Sequence, residues 1–320
     1  MLLEFDQTLF DEVTRAHERM RALAEGAPVD RPLTWFGALA MVSGWSYRLA
    51  HVRTGGADTY YVAVHPTNVC IAKALLGQRM AYLYWGSGPR TGLKRLLTSM
   101  ILKRSRIVFV NDPAAGRDVQ LLAGRDAEIV DYGFDAEFFV ISDAPREDYI
   151  FCPGSNDRDP TVLLGLCAAG HKVVWLNNQD GAKEKYAPLH DNLEIVSFPS
   201  FEQLRTLYQH ARCVVNPLSR DVHAAGQTTT LEALGCGTPI VVSRGRTSSI
   251  FEDVEQVFVC ETLDPAEWVA AIGKASQWHH DLSDDDVRDL RNRAAERWHV
   301  LASAGRFFER LQPQAAGVVR

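Results

Sequence analysis

The stretch AAGQTTTLEALGCGTPIVVS, residues 224–243, gathers residue types that bind anions and sugar hydroxyls. Gly226 lets backbone approach a ligand with no Cβ in the way. Thr228 and Thr229 fall where a helix begins, and backbone N–H groups at a helix N-terminus bind phosphate. Glu232 follows one turn later. An ionised carboxylate there can accept two hydrogen bonds, for example from the vicinal hydroxyls of a ribose. Gly235, Gly237 and Pro239 end the helix and lead into a strand. A structural alternative stands beside this reading, because Thr229-x-x-Glu232 is also a capping box in which Glu232 closes its own helix.

Other residues could also do chemistry. Arg158 follows a strand and a glycine turn, and its fork suits the phosphate oxygens of a departing diphosphate. The alternative is a surface arginine paired to Asp157 or Asp159. Asp157-Arg158-Asp159 also reads as a D-x-D metal motif, but the surrounding strand order argues against a metal site. Phe198-Pro199-Ser200 follows a strand at a carboxyl sheet edge, where it can line a base pocket or make an ordinary turn. His65 ends the strand YYVAVH, as a proton acceptor for a hydroxyl or as a structural histidine. Trp85-Gly86-Ser87-Gly88 can shape a pocket at the next strand end. Gly86-x-Gly88-x3-Gly92 has the wrong spacing for a dinucleotide loop, so no NAD site is expected. Asp284-Asp285-Asp286 after Ser283 reads as a helix cap.

The elements that must position these residues alternate. Short Val- and Ile-rich runs at 60–65, 79–85, 106–111 and 127–132 read as strands buried on both faces. So do 148–154, 172–177, 193–198, 212–217, 239–243 and 256–260. Helical segments lie between them, which implies βαβ units and a doubly wound α/β fold. Ten strands exceed one ordinary sheet. The polar stretch 142–148 is the expected linker. The expected division is a domain over 1–142, a linker at 143–148, a domain over 149–296 and a terminal helix over 297–320. Residues 1–56 read as helical, with apolar segments at 5–23 and 33–49.

Composition narrows the classes. The chain has 320 residues, 46% of them hydrophobic and 23% charged, an ordinary globular balance. A net charge of −6 leaves no chain-wide basic footprint for nucleic acid. No run is long and apolar enough to span a membrane, and the acidic N-terminus does not read as a signal peptide, so a cytoplasmic location is expected. Residues 90–106 mix Arg90, Lys94, Arg95, Lys103, Arg104 and Arg106 with leucines. That is a solvated helix face, or a peripheral contact with the inner face of an anionic membrane. The six cysteines form no C-x-x-C pair and read as buried thiols.

The longer pattern Gly226-x-x-Thr229-x-x-Glu232-x4-Gly237-x-Pro239, followed by a strand, resembles the donor-binding signature of GT-B glycosyltransferases, most closely glycosyltransferase family 4. Gly133-Phe134-Asp135-x3-Phe139 resembles the segment closing the N-terminal domain of that family. The strand and glycine turn at 151–163, the segment 199–217 and the helix at 264–272 also agree in order. The resemblance covers roughly residues 60–315 and is specific over 129–275. It implies two Rossmann-like domains facing across a cleft, with a shortened N-terminal domain on the acceptor side and the last helix packing back on it. By resemblance Glu232 holds the ribose of a nucleotide sugar. Gly226, Gln227, Thr228 and Thr229 cradle the diphosphate, with Gly154, Ser155 and Arg158 opposite and Phe198 at the base. Many members carry a second glutamate eight positions earlier. Here that position is Ala224, and alignment on Gly226 puts His223 near the transferred sugar instead. No lysine stands six positions after Arg158. The expected activity is transfer of a sugar from a nucleoside-diphosphate sugar to a hydroxyl of a glycan, lipid-linked saccharide or small molecule. The resemblance makes it retaining, metal-independent and free of a resident cofactor. The alternatives are a nucleotide-sugar epimerase on the same fold and a non-catalytic nucleotide-sugar-binding scaffold.

Overall fold

A computed structural model describes residues 2–5, 14–16, 18–19, 21–22, 25, 29, 31–42, 59–63, 68–86, 91–197, 200–219 and 225–311. The chain divides into two compact units. The first holds Met1–Val29, Leu33–Gly133 and Val300–Arg320, and the second Asp30–Pro32 and Phe134–His299.

The first unit is built on five parallel strands in the order β1-β2-β3-β4-β5: Leu2–Phe5, Thr59–Ala63, Met80–Tyr84, Ile107–Val110 and Glu128–Ile129. Its helices are α1 (Trp35–Val42), α2 (Asn68–Leu75), α3 (Gly92–Arg104), α4 (Pro113–Ala123) and, from the far end of the chain, α12 (Val300–Leu311). Val300, Ser303, Ala304, Phe307 and Leu311 form the buried stripe of α12, spaced three and four residues apart as a helix face requires. This stripe packs with Trp35, Leu39, Val62 and Phe109 in one cluster, while Tyr61, Tyr82, Ile101 and Val119 fill a second. A sheet covered on both faces needs apolar residues at consecutive positions, and β3 is buried at all five.

The second unit carries six parallel strands in the order β11-β10-β9-β6-β7-β8. They are β6 (Ile150–Cys152), β7 (Val173–Leu176), β8 (Leu193–Val196), β9 (Cys213–Asn216), β10 (Ile240–Ser243) and β11 (Val257–Cys260). The connecting helices are α5 (Pro160–Ala168), α6 (Ala182–Tyr186), α7 (Phe201–His210), α8 (Gln227–Gly235), α9 (Arg246–Ile250), α10 (Pro265–His280) and α11 (Asp284–Trp298). The order jumps from β6 to β9, a topological switch point at whose carboxyl edge ligands bind in such sheets. All six cysteines are buried and free.

Two features differ from the sequence expectation. The chain opens on a strand, β1, not on helices, and β1 pairs in parallel with β2. Four residues running into a polar segment carry too short a pattern to separate strand from helix, and their partner lies over fifty residues downstream. The division between units falls at Gly133/Phe134 and His299/Val300, ahead of the stretch read as a linker. Within that stretch Arg146 donates to the carbonyls of Gln209, Ala211 and Gly237 at 2.8, 3.0 and 2.9 Å and to Thr238 Oγ1 at 2.8 Å. A guanidinium so engaged fixes its segment to the second unit. Ser283 caps α11 as expected, with Asp286 closing the box.

Candidate functional site

The switch point gathers two loops and a cavity. The first follows β6. Gly154 has φ +87°, and a Cβ there would stand 3.2 Å from Arg158 Nη2, so the turn both needs the left-handed conformation and leaves no room beside the guanidinium. Arg158 Nε and Nη2 donate to Pro153 O at 3.0 and 2.8 Å, and Nη1 donates to Asn156 O at 3.1 Å. Nη2 also reaches Thr229 Oγ1 at 3.4 Å. Arg158 is therefore buried and spends most of its fork on its own loop, while its charge sits beside the first turn of α8. Asp159 accepts from Thr161 N and Val162 N as the cap of α5, which gives its carboxylate a structural task.

The second loop leads from β9 into α8. Its N-cap is Gly226, with φ +77° and no side-chain cap. A Cβ at Gly226 would fall 1.9 Å from Asn216 Nδ2, so glycine alone fits. Asn216 ends β9, is fully buried, and among the described residues neither of its side-chain polar atoms has a partner. An unpaired amide buried in the floor beneath an uncapped helix N-terminus is costly in a closed fold. Thr228 is exposed in the first turn, while Gln227 and Thr229 are buried.

Glu232 sits one turn further on. The capping-box alternative does not hold, because Thr229 lies inside α8, three residues past its N-cap. Glu232 Oε2 instead accepts from Tyr208 Oη at 2.6 Å. The carboxylate is half-buried. Burial pushes its pKa up to about 7, and the Tyr208 hydrogen bond pulls the other way.

The third element is a cavity of about 380 Å³ lined by residues 155–158, Pro160, Trp175, Gln179, Tyr186 and Ser219. Trp175 Nε1 donates to Gly154 O at 3.0 Å, and Ser219 N to Asp157 O at 2.8 Å. Gly226 and Glu232 do not line this cavity. Arg158 is the link, walling the cavity and touching Thr229.

Of the residues singled out from sequence, Gly154, Ser155, Arg158, Gly226, Gln227, Thr228, Thr229 and Glu232 fall at this one edge. His65, His223 and Phe198 lie outside the described residues. Sequence reasoning passed over Asn216 and Tyr208. Tyr208 stands four residues after Leu204, both buried on α7, and reads as core. A strand-end asparagine among Val-rich residues was the available pointer to Asn216.

Residues 165–277 match the family model of glycosyl transferases group 1. That match lies within the second unit. No curated protein matches the chain. Among solved structures, Anabaena HepE in complex with UDP superposes with a TM-score of 0.69 at 13% identity, covering 97% of this chain and 99% of that one. HepE has also been solved with UDP-glucose. A glycosyltransferase from Rickettsia africae gives 0.65 at 10% identity over 96% of each chain. Sucrose-phosphate synthase from Thermosynechococcus elongatus gives 0.60 at 15% identity over 79% of this chain and 73% of that one. The fold is GT-B with a short N-terminal unit. Among the described residues no helix is long and apolar enough to cross a membrane.

Proposed function

We propose that this chain is a glycosyltransferase moving a sugar from a nucleoside-diphosphate sugar to a hydroxyl acceptor, the second unit binding the donor and the first presenting the acceptor. The observation that carries the reading is Glu232. It has one oxygen held by Tyr208, and among the described residues its Oε1 has no protein partner and is not shut away from solvent. That oxygen, one turn above an uncapped helix N-terminus, suits ribose hydroxyls beside a diphosphate. The α8 amides and the Arg158 charge can stabilise the leaving diphosphate without a metal. Arg158 acts through the loop it builds and through its charge, since its donors are largely taken. Retention at the anomeric carbon belongs to the same reading, with His223 beside the transferred sugar and His65 on the acceptor side. Uridine is the first base to try, because HepE is bound to UDP and UDP-glucose.

Calorimetric titration of UDP, GDP, ADP, dTDP and CDP into wild type tests the donor site. Binding of one nucleotide in the micromolar range supports it; indifference to all five sinks it. Product analysis with the sugar nucleotide alone then separates transfer from epimerisation. Peripheral membrane contact is a separate part of the proposal. Leu93 and Leu96 on α3 are 71% and 68% exposed, next to the exposed Lys94 and Arg95. Wild type should co-sediment with phosphatidylglycerol vesicles and Leu93→Glu should not; wild type that stays in the supernatant would remove the contact.

A further inference from the structure

Tyr208 is packed as a core residue but ends in the site. It is fully buried on α7, with its ring edge-on to Phe151 and Phe139 at 5.1 and 6.1 Å. Its own carbonyl accepts from Thr238 Oγ1 at 2.7 Å, which fixes the backbone behind it. The single polar atom of this locked side chain meets Glu232 Oε2 at 2.6 Å, the short distance of a charge-assisted bond. Thr229 faces the same hydroxyl. We propose that Tyr208 is a positioning residue for the donor site: it clamps one oxygen of Glu232, leaves the other for the ribose, and ties nucleotide binding to one proton on that carboxyl.

The groups around Glu232 are few. Tyr208 reaches it from α7, and burial together with the negative Glu232 keeps the phenol protonated. On α8 itself Thr229 and Cys236 are near, and burial pushes the Cys236 thiol well up. Arg146, then Arg205 from α7 and Arg291 from α11, act on Cys236. Arg158, after β6, extends as far as Thr229, and Asn216 on β9 is neutral. No basic side chain bonds the carboxylate among the described residues, so a tyrosine hydroxyl does the work that an arginine does in an ion pair. Burial alone would carry the carboxyl above about 7, and the hydroxyl, which bonds the ionised form best, holds it there.

The inference rests on the donor reading above, so its test has two arms. The first needs no ligand. In the full chain, 13C-carboxyl NMR should place the Glu232 midpoint near 7, and Tyr208→Phe, which keeps the ring packing, should raise it by about one unit or more. The second arm is calorimetry with UDP-glucose, whose diphosphate diester does not titrate between pH 6 and pH 8.5. Wild-type affinity should rise about tenfold from pH 6 to pH 8, as one proton leaving a group with a midpoint of about 7 requires. Tyr208→Phe should bind several-fold more weakly at pH 7 and recover by pH 8.5. Glu232→Gln should bind weakly with no pH dependence, and it stands in should Tyr208→Phe fail to fold. An unmoved midpoint in Tyr208→Phe overturns the clamp. Wild-type affinity indifferent to pH overturns the proton link. Failure of wild type to bind UDP-glucose or any of the five nucleotides defeats the donor reading and this ligand arm together, while the carboxyl midpoint still decides the clamp.

Discussion

At the carboxyl edge of the first sheet Trp35, Trp85 and Tyr132 close on one another; at the same edge of the second, Asn216 stands with both polar atoms unpaired among the described residues. The two sheets share parallel topology and helices on both faces. In the first unit the ring centroids of Trp35 and Tyr132 lie 5.9 Å apart and those of Trp85 and Tyr132 6.1 Å apart, and Phe109 and Val110 complete the lining. Trp35 Nε1 donates to Ser303 Oγ at 3.1 Å, and Ser303 donates to Asp131 O, so the indole is satisfied within the unit. In the second unit the matching edge keeps an uncapped helix, an unpaired amide and a carboxylate above its usual range. The first edge is closed by its own aromatic rings. On the donor-site proposal a ligand would complete the second, which is how a protein trades stability for binding.

The largest expected effect lies on the aromatic side. Phe307 packs at a tilt against Phe109 at 4.2 Å and meets Trp35 edge-on at 5.1 Å. Phe307→Ala should cost about 3–5 kcal/mol of stability by denaturant unfolding, with nucleotide affinity unchanged in the folded protein. A matching loss of affinity would mean that the two edges are not independent. Next comes Glu232→Ala, which should weaken nucleotide binding about 100-fold, the loss of hydrogen bonds to a charged group. A mutant that binds as tightly as wild type would return Glu232 to a purely local role.

The same residue gives the third prediction through pH. Glu232 in the folded chain titrates near 7 against 4.5 ordinarily. Between those values the folded state holds a proton that the unfolded state has lost, so the stability from this group is full below about pH 4.5 and falls as pH rises to 7. Glu232→Gln removes the penalty. It should stabilise the enzyme by about 1–2 kcal/mol more at pH 8 than at pH 5, a figure reduced for a half-buried carboxyl. Equal effects at both values would place the carboxyl in a water-like setting.

Much of this was legible in the residues. Ten of the eleven described strands fall in apolar runs; most are buried on both faces and leave nothing to alternate, while β5 is exposed and β8 alternates. Gly226 and Glu232 stand out through a fixed spacing that a helix N-terminus and its second turn impose. What stayed hidden depends on distance along the chain. Tyr208 and Glu232 are 24 residues apart, and nothing in LRTLYQHA distinguishes a tyrosine whose hydroxyl is used from one that only fills space. The capping-box alternative stayed open in the sequence because T-x-x-E fits a helix start equally well, and only the position of Gly226 as N-cap decides against it. β1 was lost for want of length.

The smallest effect sharpens the comparison most. Asn216 is buried without a hydrogen bond, so Asn216→Ala removes an unmet polar group along with some volume. The two terms oppose each other, and stability should stay within about 1 kcal/mol of wild type. Gly226→Ala, by contrast, meets the Asn216 amide at 1.9 Å with φ at +77° and should lose about 1–3 kcal/mol. Placing Asn216→Ala in the Gly226→Ala background relieves the clash but not the dihedral, so part of that loss should return. If the amide is held for the donor loop and its ligand, the single Asn216→Ala variant should bind nucleotide several-fold more weakly despite its near-wild-type stability. Stability lost with affinity intact would make Asn216 a packing residue like Phe307, and the second edge would then owe its asparagine to packing alone.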